Sequence, residues 1–213
     1  PLFTANLLSV YDGKFLPALR YGSFQFLSAV TGTGYQTVEN FVGIQTPSLF
    51  FFGIIILMVL GAGMGSTAGG MKQYRVALAF KSMYWNIKEQ LAHKKTIRTH
   101  FINKIGTKTI IEKEEVMHNF SFLLVYMSIL VIGTIIFSAF GFSLEHALFE
   151  FASALGTVGL SVGITGYEAH PIILWTSTVG MLMGRLEFYV IFVAIAKISI
   201  DLSKKSVKSM LKS

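Results

Sequence analysis

Two short runs offer the chain's main chemistry: Thr31, Gly32, Thr33 and Gly34 in TGTGYQT, and Gly156, Thr157, Val158 and Gly159 in GTVGLSV. Neither run holds a nucleophile beside a base. What they offer is peptide oxygen. Glycine lets successive peptide units adopt the positive φ values that turn carbonyls to one side, and a ring of such carbonyls can replace the hydration shell of a dehydrated potassium ion. The two runs are also copies. Each follows the same lead-in, with Phe24/Phe149, Phe26/Phe151, Ser28/Ser153, Ala29/Ala154 and Gly34/Gly159 in one ungapped register 125 positions apart. A helix ahead of each run would aim its negative C-terminal end at the same place, which favours a cation. Small residues also let membrane helices pack closely. One copy alone would fit that plainer reading, but two copies with one lead-in favour an ion path.

A third glycine cluster, GAGMGSTAGG, contains Gly61, Gly63, Gly65, Ser66, Thr67, Gly69 and Gly70 inside an otherwise unbroken apolar stretch. Each glycine in a helix interior costs roughly 1 kcal/mol relative to alanine, so a break here must serve a purpose. Lying just below the loops, it would make a gate. The same residues also satisfy GxGxxA from Gly63 to Ala68, but that dinucleotide reading fails on context: the run is too long for a strand and no acidic residue follows at the required distance. Arg185, in MLMGRLEFY, is an ionisable residue deep in an apolar segment, which marks it as functional and turned to the interior. It would oppose a passing cation while its donors hold carbonyls of the Gly-rich loop. Glu187 is two residues on and would face elsewhere on a helix. Glu150 stands at the register of Gln25, where it would either tune the filter from behind or, as the plainer reading, hydrogen-bond a neighbouring loop. The five histidines have no metal-ligand spacing, there is no cysteine, and no Ser/His/Asp set or carboxylate pair argues for an enzyme.

The elements that would carry these residues belong in lipid. Of 213 residues, 53% are hydrophobic and 14% charged, and mean hydropathy is +0.60. Charge is absent from Val42 to Met71 and from Val116 to Leu144, each longer than the roughly 20 residues that cross a bilayer core. Fifteen of the 18 Lys and Arg lie in two segments, 71–118 and 197–212. Without base-reading elements this is no nucleic-acid surface, and the positive-inside rule makes the 71–118 linker and the C-terminus cytoplasmic in a multi-pass cell-membrane protein. Between them the chain must leave and return. SLEHALFEFASAL is too short to cross, so it should dip in and come back through GTVG.

The reading is an all-α membrane protein of tandem helix, pore-loop, helix repeats. Residues 1–85 form one repeat, with pore helix and filter at 17–37 and an inner helix at 47–85 broken at 61–70. Residues 86–115 form a linker with a hairpin around Lys104 to Gly106, and 116–213 form the second repeat: outer helix 116–140, pore helix and filter 143–163, inner helix 171–203 and a basic tail. The outer span of the first repeat is missing, so the chain is expected to be part of a longer polypeptide.

The loops TGTGYQT and GTVGLSVG, with GSTAGGMK at 65–72 and MLMGRLEFY at 181–189, resemble the Trk/Ktr superfamily of potassium transporters. That resemblance implies a potassium-channel-like fold of four repeats round one pore, of which this chain holds the third and fourth. It implies potassium as transported substrate, no cofactor, a Gly-rich intramembrane gate, a homodimer of pores, and a cytosolic nucleotide-binding regulatory ring. The missing loops would come from an N-terminal half or from a second copy. In plant relatives a serine at a filter glycine goes with sodium transport, so Gly34 and Gly159 favour potassium. An ion-coupled secondary transporter on the same scaffold is the alternative.

Overall fold

The computed structural model describes residues 14–37, 48–63, 65–66, 68–91, 101–104, 107–111, 113–185 and a few positions between 193 and 200. The elements follow in order: α1 (Phe15–Thr31), α2 (Ser48–Leu60), α3 (Gln73–Gln90), β1 (Phe101–Lys104), β2 (Thr107–Ile110), α4 (Lys113–Ala139), α5 (Leu144–Leu155) and α6 (Pro171–Arg185). The described residues are thus helical apart from one antiparallel hairpin in the linker, in which Lys104 pairs with Thr107 and Phe101 with Ile110.

Length separates the two kinds of helix. At 1.5 Å per residue the 27 residues of α4 rise about 40 Å, enough to cross a hydrocarbon core of about 30 Å. It is the one described helix long and apolar enough to cross alone. Glu114 and Glu115 sit in its first turn, where carboxylates suit the positive end of the helix dipole. The 12 residues of α5 rise only about 18 Å, which makes it a half-depth element. Ser143 begins it as N-cap, its side chain accepting from the His146 N–H at 3.5 Å, and Gly156 ends it.

The second repeat is the better packed. Phe151 of α5 lies between α4 and α6, where the glycines at 133 and 180 leave room for its ring; a Cβ built at either would press on that ring. Phe137 meets it edge-on at 5.8 Å. Across to the first repeat, Phe149 stacks on Phe51 of α2 at 4.6 Å. In the first repeat the matching Phe24 and Phe26 are exposed, since no described helix takes the place that α4 has in the second.

Several boundaries differ from those the sequence suggested. The helix of the first loop is longer, because Pro17 falls in the first turn of α1, where a missing N–H costs nothing. The inner helix expected at 47–85 with a break at 61–70 is the pair α2 and α3 on either side of that break, and α3 runs on to Gln90 into the segment assigned to the linker. The last inner helix, expected over 171–203, begins at Pro171 and is continuous to Arg185, and most of its remaining expected span lies outside the described residues.

Candidate functional site

Both half-depth helices end the same way. In α1 the Thr33 N–H reaches the Ser28 carbonyl at 3.2 Å, and in α5 the Val158 N–H reaches the Ser153 carbonyl at 2.9 Å. This is a C-terminal closure that needs a left-handed residue. Gly32 takes that role with φ +67°, and at the matching position Thr157 takes it with φ +50°. A β-branched residue is rarely found there, so Thr157 holds a conformation the rest of the structure must impose. Thr31 is still helical, its hydroxyl bonded back to the Leu27 carbonyl at 2.7 Å and shared with Thr33 at 2.6 Å. Gly156 likewise caps α5, its N–H on Ala152 at 2.8 Å. The chain therefore leaves each helix through the left-handed residues Gly32 and Thr157, one residue later than the glycine-threonine pattern suggested.

Beyond the caps, the repeated serine ties each extended segment to its own helix. Ser28 donates to the Tyr35 carbonyl at 2.6 Å, and Ser153 accepts from the Gly159 N–H at 3.1 Å. Gln25 donates to Thr37 at 3.1 Å, and Glu150 accepts from the Val162 N–H at 2.8 Å, again at matching positions. Sequence reasoning noticed the serines without giving them a task. Their recurrence at one register in both copies was the available signal. The expected tie from Glu150 to a loop is present.

The two segments also meet each other. Gly34 and Gly159 are in contact, with a Cβ built on Gly159 only 3.6 Å from the Gly34 Cα. A Cβ on Gly34 would fall on the carbonyl oxygen of Val158, and one on Gly32 would lie 4.0 Å from that of Thr157. So the Val158 carbonyl oxygen lies against Gly34 of the opposite loop while N–H groups of the same segment are tied back to α5. Gln36 closes the seam, accepting from the Ser161 N–H at 3.2 Å.

The glycine-rich break lies directly against this pair of loops. Its neck is closed where the Met71 N–H bonds the Val59 carbonyl at 3.0 Å, and Gly61 and Gly70 are left-handed on either side of it. A Cβ on Gly69 would stand 2.6 Å from Thr157 Oγ1, and Gly32 faces Ala68 at 3.2 Å. A Cβ built on Gly63 or Gly65 would meet nothing within 4 Å, and the Gly63 carbonyl accepts from the Ser66 N–H at 3.2 Å. Thr67 lies outside the described residues. The hydroxyls of Ser66 and Thr157 are both buried with no hydrogen-bond partner among the described residues.

On the far side of the break from the loops is a cleft of about 280 Å³, lined by Ser66, Gly69, Gly70, Lys72, Arg75 and Arg185 among others. Arg75 lies over the Phe122 ring at 3.9 Å. Arg185 thus borders the same space as Gly69 and Gly70, the segment it was expected to meet. Glu187 is outside the described residues. Since α2 is a helix ending in this break, the strand that a dinucleotide fold needs is missing at Gly63–Ala68.

Residues 14–206 match the family described as "TrkH: Cation transport protein". The chain belongs to that family. Among relatives, the "Uncharacterized cation transporter MJ1485" of Methanocaldococcus jannaschii is 29% identical over 81% of this chain and 35% of its own length. The Trk system potassium uptake protein TrkH of Salmonella typhimurium is 28% identical, over 87% of this chain and 37% of its own. The Ktr system potassium uptake protein B of Vibrio alginolyticus is 29% identical, over 76% and 32%. The chain thus spans about a third of the length of these TrkH-family relatives. The fold matches the crystal structure of the potassium transporter TrkH from Vibrio parahaemolyticus with a TM-score of 0.74 at 23% identity, covering 91% of this chain and 40% of that one. Membership of a cation transport family agrees with α4, a helix long and apolar enough to cross a membrane.

Proposed function

We propose that this chain supplies two of the four pore loops of a potassium uptake protein, with Gly32 to Gly34 and Thr157 to Gly159 as its half of the selectivity filter. The observation that carries the reading is the pairing of Gly34 with Gly159: two copies of one loop touch at equivalent positions. Backbone at membrane depth must have its polar groups used by protein or by a watery path, and here the Gly159 and Val162 N–H groups are used by Ser153 and Glu150 while peptide oxygens of the two loops would serve a cation. Thr31 and Gly156 set the depth at which the filter begins.

The Gly61–Gly70 loop is the gate, standing under the filter through Gly69 and Ala68, with Arg185 as a positive barrier on its far side. Lys72, Arg75 and the linker of 71–118 face the cytoplasm together with the C-terminus. Two further loops complete the ring, from an N-terminal half or a second copy, and the whole works as a dimer of pores under a cytosolic nucleotide-binding ring. Those partners are what the Trk and Ktr relatives suggest.

The test is ionic selectivity. Vesicles carrying the complete subunit should take up rubidium in large preference to sodium, and Gly159→Ser should reduce that preference. Equal ratios in both proteins would reject the filter assignment.

A further inference from the structure

The account so far leaves the charge of Glu150 unexplained. Its side chain is 2% exposed, on the face of α5 that also carries Ser153. Its two oxygens accept from the 161–165 segment at several points: Ser161 Oγ at 2.7 Å, the Val162 N–H at 2.8 Å, the Thr165 N–H at 3.1 Å, and the Thr165 hydroxyl. Every one of these donors is neutral. Two are peptide N–H groups, one on each carboxylate oxygen, so the site suits an acceptor-only ionised carboxylate. Hydrogen bonds of that kind are about twice as strong as neutral ones.

The first repeat solves the same mechanical problem without a charge. Gln25 is equally buried at the matching position and ties its own segment by one bond to Thr37, 12 residues on, just as Val162 lies 12 residues after Glu150. Holding the loop therefore does not in itself require a carboxylate. An ionised group within the membrane is costly and marks a working residue. Glu150 also borders the same cavity as Gly159, a space of about 430 Å³ that reaches Ser177 of α6.

We propose that Glu150 is a positioning and cation-capture residue. Its carboxylate clamps 161–165 against α5 and sets one fixed negative charge behind the outer end of the second loop, so that the two repeats contribute unequally to drawing a cation in. This rests on the reading of 32–34 and 157–159 as an ion path. Glutamine at 150 would keep the shape, lose the charge, and turn one N–H₂ toward a donor.

The experiment is rubidium uptake against concentration in vesicles carrying the complete subunit, at low and high ionic strength set with N-methylglucamine chloride. Glu150→Gln should raise the apparent KM about three- to tenfold at low ionic strength, with a smaller effect on the maximal rate. The gap should narrow in high salt, because screening weakens the attraction of a charge for a distant ion. Glu150→Asp keeps the charge but is too short for the full clamp, so its KM should stay within about twofold of the parent while its maximal rate falls. An unchanged KM in Glu150→Gln, a loss independent of salt and confined to the maximal rate, or a KM in Glu150→Asp raised beyond twofold would each overturn the proposal. Rubidium over sodium selectivity of the parent is read in the same vesicles. Its absence overturns the filter reading and this inference together; its presence with an unmoved KM overturns only the role of Glu150.

Discussion

At the residue scale the filter assignment turns on two glycines that are equivalent in sequence but not in space. A side chain on Gly34 would collide with the Val158 carbonyl, whereas one on Gly159 meets nothing nearer than the Gly34 Cα at 3.6 Å. Both have positive φ, +74° and +97°, so any substitution there strains the backbone. Gly159→Ser should therefore fold and conduct with a rubidium-to-sodium ratio lowered about tenfold, a change of about 1.4 kcal/mol in discrimination. Gly34→Ser should be worse on both counts, losing folded protein as well as selectivity, as measured by detergent-solubilised yield beside uptake. If the two variants behave alike, the loops do not meet as described. The glycine pattern made these positions legible in the sequence. The left-handed turn at Thr157 was not, because a threonine gives no sign of positive φ and only its alignment with Gly32 points to it.

At the scale of elements, the proposed gate is a loop held by its neck and packed against the two proposed filter segments. Glycine is needed at 61 and 70, where the chain crosses itself, and at 69, where it meets Gly156 and Thr157. Gly63 and Gly65 have open space around them, which suits the part that moves. Arg185→Ala removes one of three cations around the cleft behind this loop and should raise rubidium uptake severalfold; removing residues 63–66 should leave a leak that no longer responds to gating. Lower uptake in the arginine variant at equal protein level would assign Arg185 a structural role instead. Helix existence and order were readable from apolar length and repeat register. Their ends were less so. The linker was expected from residue 86, but Ile87, Lys88, Glu89 and Gln90 include strong helix formers with no stop signal, so the helix runs on to Gln90. Charge marks where a membrane ends; it does not end a helix.

At the scale of the whole molecule, the proposed function makes the chain half of a ring. Thr31, Thr33, Tyr35 and Gly159 are exposed in spite of their place at the loops, which is the surface two further loops would cover. The expected topology puts the hairpin and the 161–168 return on opposite sides of the membrane. Because the chain has no cysteine, single cysteines report on this directly. Tyr167→Cys, at a fully exposed side chain, should react with an impermeant maleimide added to intact cells, and Thr107→Cys only after permeabilisation. Reaction of both from one side would contradict the orientation. The most direct test of the central claim is anomalous diffraction from crystals of the complete protein soaked in rubidium. A rubidium peak within coordination distance of peptide oxygens of both the Gly32 to Gly34 and the Thr157 to Gly159 segments is the predicted result, and a protein that transports rubidium yet shows no ion there would contradict it.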